Sequence, residues 1–173
     1  NIVRVHVAGD IFSQQYFDAW ALVASAHTNV LFYFYTKSLN YWVNRIQAIG
    51  NGRQKSNLQV NNFVPTASYG GRHDELITQH NLRSAIVVYS NKEAKQKKLV
   101  IDHDDTHAMK HGKDFALIIH GTQPAGSDAS KALQKLKASG FTGYSKKVSL
   151  KVVSWLDILL ILLVGAIIKG LYE

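Results

Sequence analysis

Residues able to ionise, ligate or attack fall into short clusters: Arg4-Val5-His6-Val7-Ala8-Gly9-Asp10, Thr36-Lys37-Ser38, Ser68-Tyr69-Gly70-Gly71, Asp102-His103-Asp104-Asp105 and His120-Gly121-Thr122. His6 and His120 are of the type that moves protons near neutral pH, with Asp10 as a carboxylate partner. Lys37 offers a point charge to a phosphate or carboxylate, and Thr36 and Ser38 add hydroxyls beside it. His6, Asp10, Lys37 and His120 form the candidate catalytic set. Arg4, Thr36, Ser38, Ser68, Gly70 and Gly71 form the candidate ligand-binding set, the glycines by permitting a tight turn or close backbone approach.

The run Asp102-His103-Asp104-Asp105, with His107 and His111 behind it, supplies hard oxygens and imidazoles. That donor set suits Mg²⁺ or Mn²⁺, and Zn²⁺ less well unless histidine dominates. It has neither the glycine turn of an EF-hand nor the helical pair of a zinc protease. The chain contains no cysteine, which excludes disulfides, thiolate zinc, an iron–sulfur cluster and a cysteine nucleophile within it. No Gly-x-Ser-x-Gly elbow, Walker loop or dinucleotide fingerprint occurs. The competing reading is that polar residues gather wherever strands meet water, with Asp10 and Ser38 serving as helix caps.

The elements that would position these clusters alternate. Apolar runs at 2–8, 29–35, 62–68, 84–89 and 115–120 read as strands, and amphipathic stretches at 12–26, 41–49, 74–80, 91–98 and 127–139 read as helices. Ser38, Asn91 and Ser127 stand at expected helix starts, and Gly50 and Gly140 at expected stops. The runs 30–35 and 85–89 are almost wholly apolar, as in parallel sheets whose two faces are both covered by helices. The expected fold is therefore α/β, with repeated βα units and a mostly parallel sheet. Five units are compatible with a partial barrel or an open doubly wound sheet. In either, ligands gather at the carboxyl ends of strands, where the clusters lie.

A length of 173 residues with 46% hydrophobic content accommodates one core, and the α/β domain is expected over 1–143. The formal charge of +8 favours a polyanionic partner, nucleic acid or an anionic membrane surface. Residues 50–57 read as a basic surface loop. Residues 144–173 read as a basic neck, with Lys146, Lys147 and Lys151, and an expected hydrophobic helix. Within 152–171 the length approaches a bilayer span, yet Asp157 and Lys169 confine the unbroken apolar run to 158–168, shorter than the roughly 20 residues preferred. A membrane span, an interfacial helix and a helix covered by a partner protein are all compatible with it. Residues 2–7 already read as a strand, so a further N-terminal portion is expected before Asn1.

The run Arg4 to Tyr16, followed by Phe32-Tyr33-Phe34-Tyr35-Thr36-Lys37-Ser38, resembles the phage gene-product-eighty-eight family. The similarity continues through Asn62-Phe63, Ser68-Tyr69-Gly70-Gly71, Asp74, 101–105 and 118–122. The resemblance implies a bacteriophage protein acting in the host cytoplasm, or membrane-associated through the C-terminal segment. In longer members it implies a Cys-containing segment ahead of the Arg-x-His-x-x-Gly-Asp motif, and with it a metal or iron–sulfur site; this chain departs there. Some similar proteins carry the label of rolling-circle replication initiator, but the two histidines separated by one apolar residue that such chemistry needs are absent. The expected function is binding or processing of nucleic acid, metal-dependent and linked to replication. Alternatives are an enzyme using the strand-end rim on a small phosphorylated or carboxylated ligand, and a non-catalytic membrane-associated or structural phage component.

Overall fold

The computed structural model describes residues 1–50 and 60–141. The basic loop at 51–57, the domain boundary at 143 and the hydrophobic segment 152–171 lie outside the described residues. Among the described residues no helix is long and apolar enough to cross a membrane.

Five strand–helix units follow one another: β1 (Ile2–Arg4), α1 (Gln14–Ala26), β2 (Leu31–Thr36), α2 (Leu39–Gly50), β3 (Phe63–Ser68), α3 (Glu75–Gln79), β4 (Ser84–Val88), α4 (Asn91–Gln96), β5 (Phe115–Ile118) and α5 (Asp128–Ala138). The strands pair in chain order, β1-β2-β3-β4-β5, and every pairing is parallel. Right-handed crossovers that always step the same way put all helices on one face. The sheet accordingly curls into a half-barrel, and the doubly wound alternative is excluded because the strand order never reverses.

Side-chain alternation sorts the strands into two faces. Phe32, Phe34 and Phe63 face the helices, where they pack with Phe17, Ala21 and Ala24 of α1. Phe17 meets Phe34 and Phe63 edge-on, at centroid distances of 6.0 and 5.5 Å. Tyr33, Val64, Ala85 and Phe115 face the inside of the curl. Helices were expected on both faces; instead the inner face is covered by the segment before β5, whose Ala108 and Met109 pack on Tyr33, Val64, Ala85 and Phe115. A half-barrel of this handedness leaves no crossover to fill its interior, so an irregular segment does so.

Local signals are mostly kept. Ser127 caps α5, accepting from the Ser130 N–H, and Gly140 follows that helix at φ +90°. Ser90, rather than Asn91, caps α4 through the Glu93 N–H. Ser38 does not cap α2: its hydroxyl donates to the Ile11 carbonyl and ties the first two loops together. The first strand ends at Arg4 because His6 adopts φ +66°, a left-handed backbone that no strand continues through.

Candidate functional site

At the carboxyl ends of β1 to β3, three loops are locked together. The Asp10 carboxylate accepts from the Thr36 hydroxyl at 2.6 Å, the Lys37 N–H at 2.7 Å and the Ile11 N–H at 2.7 Å. Asp74 accepts from the Gly70 and Gly71 N–H groups at 2.8 and 2.9 Å. Gly71 is required by close approach, since a Cβ there would lie 2.8 Å from the Lys37 carbonyl oxygen. Gly70 has φ +92°, and a Cβ on it would stand 3.3 Å from Lys37 Nζ. The exposed Lys37 ammonium thereby lies against the third loop at Gly70.

This rim also carries much of the exposed apolar surface. Of the eight large hydrophobic residues exposed among the described residues, five lie at the carboxyl ends of β1, β3 and β4: Val7, Phe12, Tyr69, Val87 and Tyr89. Phe12 is 71% exposed, and its other face stacks on Tyr16 at 4.4 Å with rings 22° apart.

Inside the curl, polar chemistry replaces the aliphatic layers of a filled barrel. Asp105 accepts from Arg4 Nη1 at 2.9 Å, the Tyr33 hydroxyl at 2.9 Å and the Tyr35 hydroxyl at 3.0 Å. The Arg4 guanidinium lies over the Tyr35 ring, 5.4 Å from its centroid. Asp105 sits at φ +64°, which aspartate tolerates better than most residues. Asp102, 1% exposed, accepts from the His107 and Ala108 N–H groups at 3.0 and 3.1 Å. It lies 3.6 Å from His107 Nδ1.

Arg83, which nothing in the sequence reading singled out, fastens this segment to the sheet. It donates to the carbonyls of His107 at 2.7 Å and Ala108 at 3.1 Å, and also to the Lys110 carbonyl and the Thr66 hydroxyl. The signal for it is a lone cation between Leu82 and Ser84 at the mouth of an apolar strand.

Burial first, and then the charge of Asp105 and the hydrogen bonds made to it, raise the phenols of Tyr33 and Tyr35 above their ordinary value near 10. Both are therefore neutral in the fold where the unfolded chain would ionise. Their contribution to stability is complete below pH 10 and is lost as the pH rises above it. An absorbance titration is expected to show two of the eight tyrosines ionising only together with unfolding. All eight titrating freely, with the far-ultraviolet dichroism of the folded chain retained, would contradict this.

The expected site residues are thus distributed over separate places. Asp10, Thr36, Lys37, Ser38, Gly70 and Gly71 meet at the rim, Asp10 as an interloop acceptor. Arg4 lies inside the curl with Asp105. His6 packs against the Tyr16 ring at 5.4 Å, with its Nε2 buried and unpartnered. His120 is exposed and its Nδ1 lies 2.9 Å from the Ile118 carbonyl oxygen. Ser68 opposes Ala85 on the inner face. The four metal candidates diverge: Asp102 is turned to backbone N–H groups, His103 is exposed, Asp104 accepts from Thr106 at 2.5 Å, and Asp105 holds Arg4. Among the described residues no group of three or more His, Asp or Glu side chains is placed to hold a metal ion.

No curated protein and no solved structure matches the chain. A family model described as Gene product 88 matches residues 1–138, the stretch that contains every element described above. The chain belongs to the phage gene product 88 family.

Proposed function

We propose that the chain binds single-stranded nucleic acid along the carboxyl-end rim of the half-barrel. The observation that carries this reading is the row Phe12, Lys37, Tyr69 and Tyr89, which follow β1, β2, β3 and β4 in strand order and are all exposed. Lys37, Tyr69 and Tyr89 come directly after β2, β3 and β4, and neighbouring strands stand about 4.8 Å apart; Phe12 stands at the head of α1, beyond β1. Exposed aromatics take stacked bases regardless of sequence, at roughly 1–3 kcal/mol per base, while cations track the phosphates. Single exposed aromatics are ordinary on a protein surface; their collection on one rim beside Lys37, in a chain of net charge +8, favours a polyanion with planar groups. A small-ligand acid–base enzyme receives less support, because His6, Asp10 and His120 occupy separate surroundings.

Fluorescence anisotropy with a labelled oligonucleotide tests the reading. Tyr69→Ala and Tyr89→Ala, both at exposed positions, are each expected to weaken binding by roughly 1–3 kcal/mol with circular dichroism unchanged. Wild-type affinity in both variants would refute stacking on this rim.

A further inference from the structure

Just inside the rim, the carboxyl-end mouth of the curl is open. The covering segment packs on Tyr33, Val64, Ala85 and Phe115. Val87, two residues beyond Ala85 and on the same inner face, is 51% exposed although β4 has a strand on either side. Arg4, the last residue of β1, stands at this end of the strands. Its guanidinium lies over the Tyr35 ring, and its side chain is 33% exposed.

Most of the hydrogen-bonding capacity of this guanidinium is unused. It carries five N–H donors and makes one hydrogen bond among the described residues, from Nη1 to Asp105 at 2.9 Å. Its Nε is buried without a partner. Nη2, equally without an acceptor among the described residues, is not enclosed. The charge of Arg4, by contrast, is balanced. Asp105 touches it, and the charge of Asp102 reaches the same two tyrosines that Arg4 acts on. A phosphate brought to Arg4 would meet those carboxylates, whereas a neutral acceptor would not. Free donors on a balanced charge select neutral acceptors, and the planar fork selects them in pairs.

We propose that this mouth takes one base of the bound strand and recognises it by two adjacent neutral acceptors on the free N–H groups of Arg4. Guanine offers such a pair in O6 and N7, the edge that arginine forks meet most often, and cytosine offers O2 and N3. Adenine and thymine set a donor next to each acceptor and present no such pair. The inference rests on the rim reading: stacking at Tyr69 and Tyr89 holds the strand regardless of sequence, and Arg4 adds a preference at one position.

The test is fluorescence anisotropy of the full chain with labelled thymidylate oligonucleotides, either unbroken or carrying one central guanine, cytosine, adenine or 7-deazaguanine. Guanine, cytosine or both are expected to bind about tenfold tighter than thymidylate alone, and adenine to give no gain. The 7-deaza ring keeps the shape of guanine and removes N7, so it is expected to lose any gain that guanine gives. A gain confined to cytosine assigns the pair to O2 and N3. Arg4→Lys keeps a cation beside Asp105 and removes the fork; it is expected to bring these affinity ratios close to one, with circular dichroism reporting on the fold. Should that variant not fold, the base substitutions carry the test by themselves. Equal affinity for all the oligonucleotides would overturn this inference and leave the rim reading standing, whereas binding to none of them would overturn both. A gain shared by adenine, a guanine gain kept by 7-deazaguanine, or ratios unchanged in folded Arg4→Lys would also overturn it.

Discussion

Replacing Arg83 with methionine is expected to lower the unfolding free energy by about 3–4 kcal/mol, the largest loss from any change outside the aromatic core. The guanidinium joins the inner face of the sheet at Thr66 to a single turn of the segment covering it, through the carbonyls of His107, Ala108 and Lys110. A methionine of similar reach keeps the contact with the Phe115 ring, over which the cation now sits at 5.6 Å. It leaves the Ala108 and Lys110 carbonyls and the Thr66 hydroxyl without this donor, while the His107 carbonyl keeps the Lys110 N–H. Each acceptor stranded out of water costs roughly 1–3 kcal/mol, and rehydration of the exposed end returns part of the total. Urea denaturation measures the loss. Hydrogen exchange locates it: the amides of His107 and Ala108, held by Asp102, should exchange faster while those of β2 and β3 are affected only through global stability. A loss under about 1 kcal/mol would mean that packing of Ala108 and Met109 alone retains the segment.

The second large effect is expected at Asp105. In Asp105→Leu the Arg4 guanidinium and the hydroxyls of Tyr33 and Tyr35 lose their shared acceptor. Hydrogen bonds to a charged group are worth about 1.5–3 kcal/mol each. The ion pair retains solvent contact on both sides, at 33% and 24% exposure, so its electrostatic part is discounted for screening. A net loss of about 2–3 kcal/mol is expected. Asp105→Asn separates charge from shape, since asparagine also tolerates the left-handed backbone at φ +64° and keeps one carbonyl acceptor. It should lose about half as much as leucine. Thermal denaturation of the two variants side by side checks the order; equal losses would assign the effect to the negative charge that both variants remove, rather than to the remaining acceptor or to the backbone.

These two residues also show what the sequence displays and what it hides. The five units are visible because apolar runs such as Val30 to Tyr35 alternate with stretches of helical period, and the matching order of elements needs no long-range information. The choice between half-barrel and doubly wound sheet is not visible, because it depends on the side to which each crossover returns. The covering of the inner face is half visible. Phe32 and Phe34 face the helices while Tyr33 and Tyr35 face inward, so two hydroxyls at alternate positions mark a face that must meet a polar partner. The identity of that partner, an aspartate far along the chain, is set by tertiary packing. Asp10 shows what residue type alone does not display: an aspartate after a strand has the residue type for catalysis, and the fold gives its oxygens to Thr36, Lys37 and Ile11. The aspartates of the run 102–105 looked like one ligand set because they are adjacent in sequence, but in an irregular segment successive side chains leave in different directions.

The most direct test of the central claim is the affinity of the full chain for a single-stranded oligonucleotide and for a duplex of the same sequence, measured across a salt series. Stacking on Phe12, Tyr69 and Tyr89 together with phosphate contacts at Lys37 predicts tighter binding of the single strand. It also predicts that log affinity falls linearly with log salt, with a slope of roughly −0.7 per phosphate neutralised. Absence of binding at low salt, or preference for the duplex, would contradict the account of the rim.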